Sequence, residues 1–104
     1  MKALPKDEVS SYLSQKLTNW RFEENTIERN FRFKTFADAF SFMTAIALEV
    51  EKMDHHPDWS NSYNKVGITL STHSAKGVTL LDLELAEKID RIYTKYEYAF
   101  GSLR

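Results

Sequence analysis

The sequence contains no cysteine and, among its 104 residues, only three glycines and two prolines. Without cysteine the chain can form neither a disulfide framework nor a thiolate metal site. Hydrophobic residues make up 42% and charged residues 28% of the chain, which is close to the average for globular proteins. This composition excludes disorder and leaves no low-complexity or repeat organisation to explain.

The chain also lacks a strong charge of either sign and a long apolar run. Its net charge is -1 and its pI is near 6.3, so it has no general basic field for nucleic-acid phosphates. No apolar stretch is long enough to span a membrane or to act as a secretion signal. We therefore expect no direct nucleic-acid binding, no membrane partner and a location in the cytoplasm.

The length fits one domain covering residues 1–104. Helical spacing of apolar residues predicts helices at about 5–17, 36–54 and 81–96. Alternating apolar residues predict one hairpin within residues 20–33 and a second within residues 59–70, which turns at Asn64-Lys65, and residues 74–77 then form a loop. The expected fold class is α+β, with the order α-β-β-α-β-β-α. Three helices would cover one face of a four-stranded, mostly antiparallel sheet.

The second predicted helix carries more apolar surface than one core needs. On a helical wheel, one predicted core face holds Phe36, Ala39, Phe40, Met43, Ala47 and Val50. A second set points elsewhere and consists of Phe42, Ala45 and Leu48. A neighbouring helix of the same subunit would cover this second set equally well, but we favour a contact between subunits.

All three histidines lie between Glu51 and Asp82, as His55, His56 and His73. Histidine both gives and takes protons near neutral pH, so this concentration suggests acid/base chemistry. Each residue also has a structural interpretation. The histidine pair could simply cover the end of a helix, and His73, at the end of the alternating segment, could be a surface residue. The run from Thr79 to Asp82 fits a capping box.

Aromatic residues in this stretch could likewise be structural, because Trp59 and Tyr63 fall at strand positions, where aromatic side chains usually pack. Taken together, however, the spacing resembles the pterin-4a-carbinolamine dehydratase family. The family motif is matched at Glu51, at the run His55-His56-Pro57, and at Tyr63, His73 and Asp82. The expected element order also resembles the fold of that family.

The resemblance implies dehydration of 4a-hydroxytetrahydrobiopterin to quinonoid dihydropterin, in the recycling of tetrahydrobiopterin. The implied reaction needs no redox cofactor and no metal. His55 and His73 are the implied acid/base pair, and His56 mainly holds the substrate. The remaining residues implied to line or orient the pterin site are Glu51, Pro57, Trp59, Thr72, Ser74, Ala75 and Asp82.

Two other functions stay open. Members of the resembled family also act as dimerisation cofactors of a homeodomain transcription factor, which would add a protein partner and a nuclear location. Assembly as a homodimer or homotetramer through the second helix is expected in either case. Alternatively, His55, His56, His73 and Asp82 could be ligands of a metal-dependent hydrolase.

Overall fold

The structure, a computed structural model, describes the backbone of residues 1–101 and the side chains of residues 1–97. The three helices are α1 (Lys6–Lys16), α2 (Phe36–Met53) and α3 (Leu80–Gly101), and the four strands are β1 (Arg21–Glu23), β2 (Thr26–Arg32), β3 (Asp58–Ser62) and β4 (Lys65–Leu70). The strands form one sheet in the order β1-β2-β4-β3, and every neighbouring pair is antiparallel. The predicted fold class and element order are therefore confirmed.

The ends of α2 follow from the residues placed there. The hydroxyl of Thr35 accepts a hydrogen bond of 3.0 Å from the backbone N–H of Asp38, which satisfies a free donor in the first turn. At the other end, Asp54 adopts a left-handed conformation with φ 51°, and the N–H of His55 donates to the carbonyl of Val50. This arrangement satisfies a terminal carbonyl and turns the chain out of the helix.

The sheet has one buried and one open face, because successive strand residues point to opposite sides. On β4, Val66, Ile68 and Leu70 are buried against the helices, whereas Gly67 and Thr69 lie on the open side. The buried side continues into an aromatic core in which the rings of Phe31, Phe33, Phe42 and Tyr93 contact one another. The first hairpin and the long last helix are thereby joined through one core.

The second hairpin turns one residue earlier than predicted, at Tyr63-Asn64 rather than Asn64-Lys65. Tyr63 has φ 53°, which is an uncommon conformation for a bulky residue. Tertiary contacts hold this turn in place. The side-chain amide of Asn64 donates to the carbonyl of Phe33 at 2.8 Å, and the N–H of Phe33 donates to the carbonyl of Asn64 at 2.9 Å. The turn is therefore fixed by the end of β2, which the local sequence did not reveal.

The predicted division of the α2 surface was partly wrong. Phe42 is fully buried in the core, so it is not part of a subunit contact, whereas Phe36 and Phe40, which were predicted to face the core, are 48% and 57% exposed. The face that packs against the sheet and α3 is Ala39, Phe42, Ile46 and Val50. We call the exposed residues Phe36, Phe40 and Leu48 the outer stripe of α2. The expected excess of apolar surface is real, but of the second set only Leu48 is fully exposed, whereas Ala45 is half-buried and Phe42 is buried.

No helix within residues 1–101 has the length and hydropathy needed to cross a membrane.

Candidate active site

His55 lies immediately after α2, where the left-handed Asp54 directs the chain back toward the protein. The imidazole of His55 is largely buried, and its Nε2 atom lies 2.6 Å from Oδ1 of Asp82. A carboxylate can only accept hydrogen bonds, so we assign the proton of neutral His55 to Nε2. This tautomer leaves Nδ1 as the ring atom able to accept or deliver a second proton.

Asp82 also caps the beginning of α3. Its Oδ2 atom accepts a hydrogen bond of 2.9 Å from the backbone N–H of Thr79, and the hydroxyl of Thr79 accepts from the N–H of Leu81 at 3.2 Å. The predicted capping box is thus confirmed. Asp82 has no exposed surface. The same carboxylate therefore serves the helix start and His55, so the structural and the functional interpretation of Asp82 are compatible.

Thr72 connects this pair to the next segment of the chain. Its hydroxyl donates to Oδ2 of Asp82 at 2.9 Å and lies 2.8 Å from the hydroxyl of Thr79. Because the Thr72 proton points to the carboxylate, the Thr79 hydroxyl must be the donor between the two threonines. The side chain of Thr72 is buried and directed inward. Its hydroxyl is therefore engaged within the protein.

His73 follows directly and begins a short 3₁₀ turn, His73–Ala75. The sequence placed His73 at the end of the last strand, but β4 ends at Leu70 and Thr72 forms an isolated bridge with Gly77. The turn is closed by hydrogen bonds from the N–H of Ala75 to the carbonyl of Thr72 and from Lys76 to His73. The His73 side chain is exposed, and His73 follows directly in the chain after Thr72, whose hydroxyl bonds Asp82.

The N-terminal segment packs next to the end of this turn, a contact that the sequence pattern did not predict. The N–H of Leu4 donates to the carbonyl of Val78 at 2.8 Å. A Cβ atom on Gly77 would lie 2.9 Å from the Cβ of Ala3, closer than such atoms normally approach. Glycine at position 77 is thus required by the passing chain. The signal in the sequence was a glycine beside the loop, but its partner was more than 70 positions away.

His56 has a different environment from His55. Its Nε2 atom lies 3.2 Å from Oε1 of Glu51, and its side chain is 56% exposed. The neighbouring histidines therefore diverge, as expected from their place at the helix exit before Pro57. The pair formed by His56 and Glu51 is exposed, so a molecule in solvent can contact it.

The other predicted site residues are spread around the histidines. Pro57 and Ala75 are half-buried, and Ser74 is exposed on the 3₁₀ turn. Trp59 is partly buried against the core and pairs with Ile68 across the sheet, so its ring has a packing role. Tyr63 lies in the turn after β3, six residues or about 20 Å of extended chain from Pro57. The fold does not bring Tyr63 to the histidines.

A hollow of about 340 Å³ lies elsewhere, on the open face of the sheet. Its lining residues are Glu28, Asn30, Asp58, Trp59, Ser60, Gly67, Ile68 and Thr69. Trp59 is the one predicted site residue among them. This hollow holds no histidine, the side chain whose ordinary pKa lies nearest to neutral pH, and its titratable side chains are the carboxylates of Glu28 and Asp58. The hydrogen-bonded histidines, rather than the hollow, therefore mark the candidate active site.

The arrangement of donors does not favour a metal centre. Within residues 1–97, no three His, Cys, Asp or Glu side chains are placed so that they could hold one ion. Nε2 of His55 and Oδ1 of Asp82 bond each other directly, and a separation of 2.6 Å leaves no room for an ion between them. The four ligands considered for a hydrolase are thus divided between two separate pairs and an exposed turn.

These features define a small α+β protein in which a buried carboxylate holds one histidine and the short turn that follows Thr72 carries another. Residues 2–92 match the family described as Pterin 4 alpha carbinolamine dehydratase, and the chain belongs to that family.

Relatives and solved structures agree with this membership. A protein of Mesorhizobium japonicum, provisionally assigned as a pterin-4-alpha-carbinolamine dehydratase, is 48% identical over 92 residues, covering 86% of this chain and 93% of the relative. A protein of Rhizobium meliloti with the same provisional assignment is 54% identical over 78 residues, covering 73% of this chain and 75% of the relative.

Among solved structures, a transcriptional coactivator/pterin dehydratase from Brucella melitensis superimposes with a TM-score of 0.84 at 44% identity, covering 88% of this chain and 98% of that one. A pterin dehydratase-like protein identified as a RuBisCO assembly factor shares the fold, with a TM-score of 0.59 at 20% identity, over 70% of this chain and 84% of that one.

Proposed function

We propose that this protein dehydrates 4a-hydroxytetrahydrobiopterin to quinonoid dihydropterin by general acid/base catalysis. The observation that carries the proposal is the hydrogen-bonded pair of His55 and Asp82 beside the turn that bears His73. Family membership supports a dehydratase. The choice of substrate, the histidine mechanism and a place in tetrahydrobiopterin recycling are our inference.

The reaction requires two proton transfers and no change of oxidation state. A proton is delivered to the hydroxyl oxygen on C4a, the C4a–O bond breaks and water leaves. The proton on N5 is lost to a base, and the freed electron pair forms the C4a=N5 double bond. His55 and His73 supply one acid and one base, and His55 acts through Nδ1 because its Nε2 atom is bound to Asp82.

Asp82 would serve this chemistry without touching the pterin, because it is fully buried. By accepting a hydrogen bond from the Nε2–H group, Asp82 holds the imidazole in one tautomer and orientation. Its negative charge also stabilises the positively charged ring that forms when Nδ1 is protonated. Such an orienting carboxylate is a common partner of catalytic histidine.

The exposed residues around the pair would hold the substrate. His56 and Glu51 would offer a hydrogen-bonded pair to the polar edge of the pterin, and the parts of half-buried Pro57 and Trp59 that remain accessible would offer apolar surface to its ring. Ser74 and Ala75 would border the site from the 3₁₀ turn. For Thr72 we propose the backbone as the part that lines the site, since the hydroxyl is engaged with Asp82.

The deciding experiment is a dehydratase assay with enzymatically generated 4a-carbinolamine, which compares wild-type protein with His55→Ala at equal concentration. We expect catalysis by the wild type and a loss of about 10²-fold or more in the variant. Wild-type protein that does not exceed the uncatalysed rate would contradict the proposal.

A second function is favoured by the outer stripe of α2. Phe36, Phe40 and Leu48 form an exposed apolar surface on a protein of otherwise ordinary polarity. We infer that this stripe builds a homodimer or homotetramer and could also bind a transcription-factor partner. The Brucella protein named as both coactivator and dehydratase supports that pairing of roles. A cytoplasmic location, with the nucleus as the alternative, stays a prediction.

A further inference from the structure

The hydrogen bonds of Thr72 are not accounted for by the histidine motif. Its hydroxyl lies between Asp82 and Thr79, and the donors and acceptors there can be arranged in one way. The N–H of Leu81 donates to Thr79, Thr79 donates to Thr72, and Thr72 donates to Asp82. The chain of hydrogen bonds thus runs in one direction and ends on the carboxylate that holds His55.

The backbone of Thr72 is also fixed. Its N–H donates to the carbonyl of Gly77 at 2.9 Å, and its carbonyl accepts from the N–H of Ala75 at 3.0 Å. These bonds close the 3₁₀ turn on which His73, the next residue, is carried. Thr72 therefore contacts the support of His55 through its side chain and the support of His73 through its main chain.

We propose that Thr72 is a positioning residue that couples the two histidines. Its hydroxyl fixes the carboxylate of Asp82 in the orientation that binds His55, while its backbone sets the place of His73. The catalytic part of this inference rests on the proposed function, whereas the effect on the His55–Asp82 hydrogen bond does not.

Removal of the hydroxyl alone tests the idea. Thr72→Val keeps the volume and the branched shape but cannot donate to Asp82, which leaves one oxygen of the carboxylate with a single partner. Thr72→Ser retains the donor and loses the methyl group. Thr69→Val is the matched control, because Thr69 lies on the same segment of chain but faces the open side of the sheet.

Two measurements are made on these folded variants. In the dehydratase assay, Thr72→Val should lower kcat by about 10-fold to 100-fold, part of the roughly 10²–10⁴-fold that a positioned acid or base contributes, and change KM less than about 2-fold. Thr72→Ser should recover most of the lost kcat. In proton NMR, the Nε2 proton of His55 should give a low-field signal, assigned by its loss in His55→Ala. This signal should move upfield or exchange away in Thr72→Val and persist in Thr72→Ser and Thr69→Val.

The outcomes separate the two proposals. A wild-type protein without dehydratase activity would contradict the proposed function, and the NMR signal would then decide the role of Thr72 alone. An unchanged signal in Thr72→Val would overturn the positioning role. Equal losses of kcat in Thr72→Ser and Thr72→Val would also overturn it, because they would show that the methyl group and not the hydroxyl matters.

Discussion

Nε2 of His55 lies 2.6 Å from Oδ1 of Asp82, although 27 positions separate the two residues in the sequence. The contact joins the end of α2 to the beginning of α3. Asp82 accepts from three donors there, namely His55, the hydroxyl of Thr72 and the N–H of Thr79. One buried carboxylate thus links the stability of a helix start to the orientation of a candidate catalytic ring.

The first prediction follows from this double role. Asp82→Asn offers one acceptor oxygen and one NH2 group where the carboxylate offers two acceptors, so either a buried donor loses its partner or His55 must move its proton to Nδ1. We expect the free energy of unfolding to fall by about 1–3 kcal/mol. We expect kcat to fall by about 10-fold to 100-fold, because a misoriented His55 loses part of the contribution of a positioned acid or base. Denaturant titration and the dehydratase assay measure the two effects. Asp38→Asn, at the same position of the α2 start, is the control and should leave kcat unchanged.

Substitutions of the three histidines should affect different kinetic constants. We expect His55→Ala and His73→Ala each to lower kcat by about 10²-fold or more, since each would remove a positioned acid or base. The double variant should lose less than the product of the single effects if the two act as one unit. His56→Ala should chiefly raise KM. Near-normal kcat in both single variants with intact circular dichroism would reject the catalytic assignment.

Removal of metal should not change the rate. The donors considered for a metal are divided between two hydrogen-bonded pairs and an exposed turn, so we expect chelator-treated and dialysed protein to retain its dehydratase activity. The measurement is the assay before and after treatment, with the metal content determined on the same sample. If activity disappears and zinc restores it, the mechanism based on histidine alone is wrong.

Assembly should depend on the outer stripe of α2. Leu48→Glu places a charge on the apolar surface that we assign to a subunit contact, so it should shift the protein toward smaller species. Light scattering at micromolar concentration measures the change. Leu80→Glu is the matched control, because Leu80 is equally exposed, at 63%, but lies on α3. Wild-type protein that is strictly monomeric would exclude this role of the stripe.

The pH dependence of stability should carry a contribution from Asp90. Its carboxylate accepts from Trp20 and Arg29 at 2.9 Å and 2.8 Å. Burial raises the pKa of Asp90 above its ordinary value, although the hydrogen bond from Trp20 and the charge of Arg29 oppose this effect. The folded state therefore holds the proton more tightly than the unfolded state. The stabilising contribution is complete below the ordinary carboxyl pKa of about 3.9 and is lost as pH rises through the folded value.

The comparison with Asp90→Asn isolates this contribution, because the amide oxygen can still accept from both donors but does not titrate. We expect the stability of wild type relative to the variant to decrease as pH rises from below 4 toward neutrality, measured by denaturant titration at each pH. A relative stability that increases over this range would show that attraction to Arg29 outweighs burial.

The sequence alone determined the order of elements and the candidate residues. Periodicity predicted the helices and strands because a repeat of 3.6 or 2 is a local property of each segment. The run from Thr79 to Asp82 predicted a helix start for the same reason, since a cap is completed within a few residues. The histidine motif likewise indicated the family before any contact was known.

Only the tertiary structure decided which surfaces and side chains meet. The helical wheel of α2 could not tell that Phe42 faces the core and Phe40 faces outward, because the direction of burial depends on where the sheet and α3 lie. The turn at Tyr63-Asn64 is set by the hydrogen bonds between Asn64 and Phe33. The hydrogen bond between His55 and Asp82 likewise depends on how the end of α2 and the beginning of α3 are placed in space. A pattern along the chain does not show which acidic residue comes within hydrogen-bonding distance of an imidazole.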